Sequence, residues 1–445
     1  MNIVIVGAGR VGIHLAKYFA NERQDVFLID NDSAHLQVLE SDYNMRTFLG
    51  EPTDFGTLRK AFVEHADIFV AVTADTATNL VVCAMAKSMG AKRTIARVDK
   101  YDFLEEANSS VVRNMGVDHV VYPDLLAARQ VIAALDHSWC FGWNDFSDGA
   151  IVMVAVRVDE QSPVVGALLK EICRENRKMH ISALKRDSKT LIPHGDDTIQ
   201  SNDILYITTV PEGMEQVKAI TGRRECVIKN VIVMGGSAVA ELTAKLADKR
   251  YSFVIVDKNL ERCRQLSGAC DRAEVIYGDG SDQDVLDEAG LAHGDAFVAL
   301  SDSSEGNILS CLAAQDGGVV KTVAEVEKEQ FIAKAEAFHI GAIINKPIIT
   351  ANAIFQLILD SSRYTSKCFA MKDAEVARMD IDGPSWLTQC RVKDMKLPAE
   401  LTFAGLIRDG KGEIITGNTR LQPGDSVIVF CLNGSLNKVE KLFRK

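Results

Sequence analysis

Two stretches about half a chain apart constrain this sequence more than any other feature. Ile3–Leu15 reads IVIVGAGRVGIHL, and Val231–Leu242 reads VIVMGGSAVAEL. Adding 228 to a residue number carries Gly7 to Gly235, Gly9 to Ser237 and Gly12 to Ala240. The same offset carries Gly50 to Gly278, Asp54 to Asp282, Asp67 to Asp295 and Asn79 to Asn307, and an offset of 227 carries Asp30 to Asp257. So many matches at one spacing mark an internal duplication, with halves too long to be solenoid units. A second pair of segments repeats at an offset of 222, which places Arg186 on Arg408, Asp187 on Asp409 and Asp203 on Asp425.

Each half alternates short β-branched runs with helical stretches. The first half gives NIVIVG, DVFLID, MRTFLG, DIFVAVT and TIARV; the second gives NVIVMG, SFVIVD, EVIYGD, AFVALS and TVAEV. Near-continuous apolar strands separated by helices predict a parallel sheet covered on both faces. After each sheet the pattern changes to two-residue alternation, as in AIVMVAVRV and DILYITT. The expected fold class is therefore α/β: two tandem Rossmann-like doubly wound parallel sheets, each followed by a small α+β domain. The expected boundaries are 1–137, 138–223, 224–361 and 362–445. Ser138–Asp148 and Ser362–Ala374 read as connectors. The apolar helices after Pro123 and Pro347 are candidates for contacts between units, or else ordinary core helices.

Composition narrows the function. A net charge of −11 argues against nucleic acid as a partner. No apolar run reaches the length of a membrane span, and the N-terminus reads as a strand rather than a signal peptide. The ten cysteines are scattered, without a CxxC pair or a nearby histidine cluster. They read as reduced thiols of a cytoplasmic protein, and no metal site is expected.

The glycine pattern carries the chemistry. Gly7, Gly9 and Gly12 follow a strand and open a helix, and Asp30 ends the next strand 18 residues after Gly12. That context marks a dinucleotide-binding turn. The first glycine permits the tight turn, the second lets phosphate approach the backbone, and the third lets helix and strand pack closely. The helix N-terminus then presents unpaired N–H groups to an anion, and Asp30 suits a ribose hydroxyl. The alternative is a turn whose glycines serve packing alone. Thr73 and Ala74 are placed at the end of the fourth strand, on the ligand-binding edge of such sheets. Glu51 is either an adenine contact or a solvated loop acid. Arg97, ending the fifth strand, is either a phosphate clamp or a surface ion-pair partner.

The second copy is altered. Ser237 adds a side chain at the phosphate approach, and Glu325 stands where the offset predicts a match to Arg97. Unit charges about 4 Å apart interact by roughly 4 kcal/mol at an effective dielectric near 20, so this reversal disfavours a polyphosphate. Gly235, Gly236 and Asp257 remain as a weak second site for an adenosine-type ligand. A mostly structural second sheet is the favoured reading.

Several motifs occur together: the glycine turn, the acid, GEPTD (Gly50–Asp54), AD (Ala66-Asp67), Thr73 with Asn79, ARV and a trailing hairpin-rich segment. Doubled in one chain, they resemble the TrkA family of cytosolic regulators of Trk-type potassium uptake, whose units are RCK (or KTN) domains. The resemblance covers nearly the whole chain. It implies a non-enzymatic subunit that binds NAD(H) or ATP/ADP and docks, as a tetramer, on a TrkH-like membrane potassium channel subunit at the inner face of the cell membrane. The family's binding residues fall on Gly7, Ala8, Gly9, Arg10, Val11, Asp30, Thr73, Ala74 and Arg97. One departure is that the usual Asp-Glu before the asparagine is Thr76-Ala77 here, and Ser304-Glu305 in the second half. Two alternatives stand beside this reading. One is a sensor for another cation transporter or antiporter. The other is an NAD-dependent dehydrogenase, against which the nine scattered histidines show no paired catalytic set.

Overall fold

In a computed structural model, the described residues are 1–22, 24–40, 45–175, 177–187, 189–359, 365–370, 374–383, 385–432 and 436–443. The chain forms two compact units, residues 1–127 with 346–361 and residues 128–345 with 362–445.

The first unit is built on β1 (Asn2–Val6), β2 (Asp25–Asp30), β3 (Arg46–Leu49), β4 (Ile68–Ala71), β5 (Arg93–Arg97) and β6 (His119–Val121). All neighbours are parallel, in the order β3-β2-β1-β4-β5-β6. The order reverses beside β1, which opens a crevice at the carboxyl ends of β1 and β4. Ile3, Val4, Ile5, Phe69 and Val70 are fully buried, as expected for strands covered on both faces.

The repeated polar residues explain why the chain turns where it does. Asp54 caps the Phe55–Lys60 helix by accepting from Thr57 N at 2.9 Å, and Asp282 caps the Gln283–Glu288 helix by accepting from Asp284 N at 3.0 Å. Asp67 accepts from Asn2 N at 2.8 Å and from Lys92 Nζ at 2.7 Å, while Asp295 accepts from Asn230 N at 2.8 Å. In both copies this carboxylate ties the start of the central strand to the turn before its neighbour.

The second unit holds the second parallel sheet and both small sheets. The parallel one comprises β12 (Asn230–Met234), β13 (Ser252–Asp257), β14 (Ala273–Tyr277), β15 (Ala296–Ala299), β16 (Lys321–Glu325) and β17 (Ala342–Ile344). Its order, β14-β13-β12-β15-β16-β17, repeats that of the first sheet strand for strand. The first small sheet comprises β7 (Gly142–Phe146), β8 (Ile151–Arg157), β9 (Met179–Arg186), β10 (Lys189–Leu191) and β11 (Ile204–Thr209), in the order β10-β9-β11-β8-β7. The other comprises β18 (Thr365–Ala370), β19 (Ala374–Asp380), β20 (Leu401–Arg408), β21 (Lys411–Ile414) and β22 (Ser426–Leu432), in the equivalent order β21-β20-β22-β19-β18. Both are antiparallel. They share a core that includes Phe146, Ile151, Val376 and Phe430. The residues that revealed their repeat meet as ion pairs, each between a buried aspartate and a half-buried arginine. Arg186 grips Asp203 through two hydrogen bonds of 2.8 and 2.6 Å, and Arg408 grips Asp425 through two of 2.7 Å.

Two expectations need correction. Ser138–Asp148 is not a bare connector, because Gly142–Phe146 pairs with β8 as an edge strand, and Trp143 stacks on His137 at 3.4 Å. Ser362–Ala374 likewise contains β18, paired with β19; its residues 362–364 and 371–373 lie outside the described residues. The polar, glycine-bearing sequence FGWNDF hides the strand, since an edge position needs little apolar alternation. The helix after Pro347, Lys346–Leu359, also departs from sequence order. It packs on the first sheet's Arg10–Asn21 helix, with Phe355 edge-on to Tyr18 at 4.2 Å, and Arg93 Nη2 donates to Leu357 O at 2.6 Å. Its broad apolar circumference covers the other half's sheet.

Candidate nucleotide-binding turn and its altered twin

Gly7 has φ +102°, in the left-handed region, and a Cβ there would lie 3.0 Å from Thr73 N. A Cβ on Gly12 would lie 1.8 Å from Gly7 O, so helix and turn can close only on glycine. Gly9 differs: its backbone is extended, and a Cβ would meet nothing within 4 Å. Protein packing does not require that glycine; open space lies in front of it.

Gly9 is also the N-cap of the Arg10–Asn21 helix, and no side chain caps that end. The helix has no acidic residue in its first turn. Its N-terminal donors and positive dipole end are therefore met by no side-chain cap and no first-turn acid of their own helix. Ala8 and Val11 are buried, so they can contribute only backbone, whereas Arg10 is exposed.

Asp30 forms the edge of the turn. Its Oδ2 accepts from Ala8 N at 2.5 Å and its Oδ1 from Asp32 N at 2.8 Å. The carboxylate thus fixes the glycine turn as well as facing the crevice. His35 Nδ1 lies 3.6 Å from its Oδ1. Glu51 is exposed and accepts from Asn31 Nδ2 at 3.2 Å, just beyond the end of β2. Thr73 and Ala74 lie in the turn past β4 rather than in the strand. Thr73 N and Oγ1 both donate to Asn79 Oδ1, at 3.0 and 2.7 Å. Fully buried Asn79 returns Nδ2 to Thr73 O at 3.1 Å and to Arg97 O at 3.0 Å. One asparagine therefore knits the ends of β4 and β5, and sets Arg97 at the crevice rim, half-buried.

The twin keeps this frame. Gly235 has φ +98°. Asp257 Oδ2 accepts from Gly236 N at 2.6 Å and its Oδ1 from Asn259 N at 2.7 Å. Asn307 Nδ2 donates to Ser301 O at 2.8 Å and to Glu325 O at 2.9 Å. The survival of Asp257 thus has a structural cause that the sequence did not reveal. Glu325 is only 5% exposed, so its carboxylate does not stand open to the crevice. The simple picture of an open carboxylate repelling phosphate is corrected accordingly.

What changes lies at the helix end. Ser237 is the N-cap of the Ala238–Leu246 helix, and its Oγ accepts from Ala240 N at 3.3 Å. Glu241 sits in the first turn, where the first copy has Ile13. Burial pushes the Glu241 carboxyl up, but hydrogen bonds from Lys245 at 2.6 Å and Arg262 at 2.8 Å outweigh it and hold the group below the usual range. Arg262, in place of His35 at the 227 offset, donates Nε to Gly236 O at 2.5 Å. A cavity of about 760 Å³ remains beside this turn, lined by Ser237, Asp257, Asn259, Arg262 and Ser301 among others. Sequence reading missed Glu241 and Arg262. Their signal was a neutral residue exchanged for a charged one at the repeat offset, outside the glycine pattern.

Comparison with known proteins agrees with this architecture. The family model described as the TrkA-N domain matches residues 3–123 and 231–346, and the TrkA-C domain matches 153–222 and 376–444. The Trk system potassium uptake protein TrkA of Azorhizobium caulinodans is 27% identical over 452 residues, covering 100% of this chain and 99% of the relative. The TrkA homolog of Archaeoglobus fulgidus is 28% identical over 450 residues, covering 100% of both chains. Among solved structures, the GsuK RCK domain has a TM-score of 0.61 at 16% identity, covering 100% of this chain and 95% of that one. The GsuK channel bound to NAD also has a TM-score of 0.61 at 16% identity, covering 100% of this chain and 79% of that one. With both domain types matched twice and in alternation along its length, the chain belongs to the TrkA family.

Proposed function

We propose that this protein is a regulatory subunit that binds an adenine nucleotide, NAD(H) or ATP/ADP, at its first glycine turn and thereby biases a membrane potassium uptake partner. The observation that carries the reading is the end of the Arg10–Asn21 helix, with space in front of Gly9, no side-chain cap and no acidic residue in the first turn. The backbone of Gly7–Gly12 receives phosphate, Asp30 receives a ribose hydroxyl, and Thr73, Ala74 and Arg97 complete the rim. Glu51 stands at the adenine end.

The four segments 1–137, 138–223, 224–361 and 362–445 act as two sensor units in one chain, and four chains form the working assembly at the cytoplasmic face of the membrane. Among the described residues, no helix is long and apolar enough to cross a membrane, which leaves the partner to supply the pore. Relatives named for Trk potassium uptake support this assignment. GsuK structures with NAD and with ADP support the ligand class. Regulation is a population shift. Nucleotide favours the arrangement it binds more tightly, and its effect on the partner is limited to the difference in affinity between arrangements.

The test is titration of ADP and of NADH into the full-length chain and into Gly9→Asp. A Cβ at Gly9 meets no protein atom within 4 Å, so the variant is expected to fold with a carboxylate beside the phosphate position. Binding to the parent and loss in the variant supports the reading, and equal binding refutes it. Hydride transfer to a substrate would favour a dehydrogenase instead.

A further inference from the structure

We infer that Ser237, Glu241 and Arg262 form a built-in substitute for a ligand's phosphate, which shuts the second glycine turn to phosphate-bearing nucleotides although the cavity beside it stays open. The inference rests on the reading that the first turn takes a nucleotide phosphate.

A helix N-terminus has unpaired N–H groups and a positive dipole end, and it is satisfied by a cap and an anion. In the first copy neither is supplied from within. In the second, the Ser237 hydroxyl takes the Ala240 N–H and the Glu241 carboxylate stands in the first helical turn. Glu241 does not swing freely. Lys245 holds one of its oxygens at 2.6 Å and Arg262 the other at 2.8 Å.

Arg262 also closes the turn itself. Its Nε donates to Gly236 O at 2.5 Å, and its Nη2 lies 3.4 Å from Ser237 O. A guanidinium beside a glycine turn would ordinarily attract phosphate. This one is already committed through Nε and Nη2 to two backbone carbonyls and a carboxylate, so an incoming phosphate meets a charge that Glu241 already offsets. The corresponding first-copy residues, Gly9, Ile13 and His35, supply neither hydroxyl, carboxylate nor guanidinium. The closed turn needs no nucleotide to hold its shape, which makes the second parallel sheet a ligand-independent half of the sensor.

The experiment exchanges these residues between the copies in the full-length chain and counts ADP sites by calorimetric titration. The parent is expected to bind one ADP per chain. Ser237→Gly with Glu241→Ile and Arg262→His is expected to bind two, the new site within about tenfold of the first in affinity. In a Gly9→Asp background the counts fall to none and one. The reciprocal exchange, Gly9→Ser with Ile13→Glu and His35→Arg, is expected to abolish binding and gives a second route should the first triple variant fail to fold. The inference is overturned if the Gly9→Asp chain still binds one ADP with its second turn intact. It is equally overturned if the folded triple variant gains no site, or if the reciprocal variant binds as the parent does. A parent that binds none and a triple variant that binds one would refute the first-turn reading while upholding this one.

Discussion

The two glycine turns share one frame and differ at one spot. Asp30 and Asp257 each peg the glycine turn, Asn79 and Asn307 each knit two strand ends, and Asp54 and Asp282 each cap the same helix. Three exchanges meet at the helix end: Gly9 for Ser237, Ile13 for Glu241, His35 for Arg262. Residues retained by both copies therefore report what the fold needs, and these three exchanges report what the ligand needs. Read from letters alone, a retained aspartate looks like a retained ribose site. Its hydrogen bonds show that it would be kept with or without a ribose.

The largest test of this division is at the third glycine. Gly12→Ala places a Cβ 1.8 Å from Gly7 O, so helix and turn must separate. Loss of roughly 2–4 kcal/mol of stability is expected, together with loss of nucleotide binding. Ala240→Gly at the twin position should cost no more than about 1 kcal/mol, the helix penalty of glycine. Denaturant midpoints of both variants decide this, and equal costs would break the comparison.

Asp30→Ala and Asp257→Ala should match in stability, each losing a peg worth about 1–2 kcal/mol. They should part in binding. Asp30→Ala weakens ADP and NADH about tenfold or more, whereas Asp257→Ala leaves both affinities unchanged. At the crevice rim, Arg97→Glu should weaken ATP more than NADH by a few-fold, as removal of a phosphate clamp requires. Equal losses in parallel titrations would remove Arg97 from the site.

A pH-dependent effect separates another matched pair. Arg93 and Lys321 open the fifth strands of their sheets, and each donates to a backbone carbonyl, Leu357 O at 2.6 Å and Cys140 O at 2.7 Å. Burial pushes the Lys321 ammonium down to about 8 from 10.5. Between those values the unfolded chain holds a proton that the folded chain has released, so stability rises with pH there, by at most about 1.4 kcal/mol per pH unit. Lys321→Met should lack that rise when urea midpoints at pH 8 and pH 10 are compared.

Much of this was legible in the sequence. Apolar runs and the repeat offset fixed both parallel sheets, and the Arg186 and Asp203 repeat marked the small ones. The Lys346–Leu359 helix was not assignable, because its apolar faces fit either sheet and chain order does not say which one it covers. The Gly142–Phe146 strand was hidden by its edge position. Glu241 and Arg262 escaped because the glycine pattern draws attention to missing glycines, not to charges gained one turn into a helix.

The central claim, that one helix end is open to an anion and the other is already satisfied, is tested most directly by amide hydrogen exchange of the full-length chain with and without saturating ADP. The account predicts new protection at Gly7–Ile13 and unchanged exchange at Gly235–Glu241. New protection at Gly235–Glu241 with none at Gly7–Ile13 would contradict it.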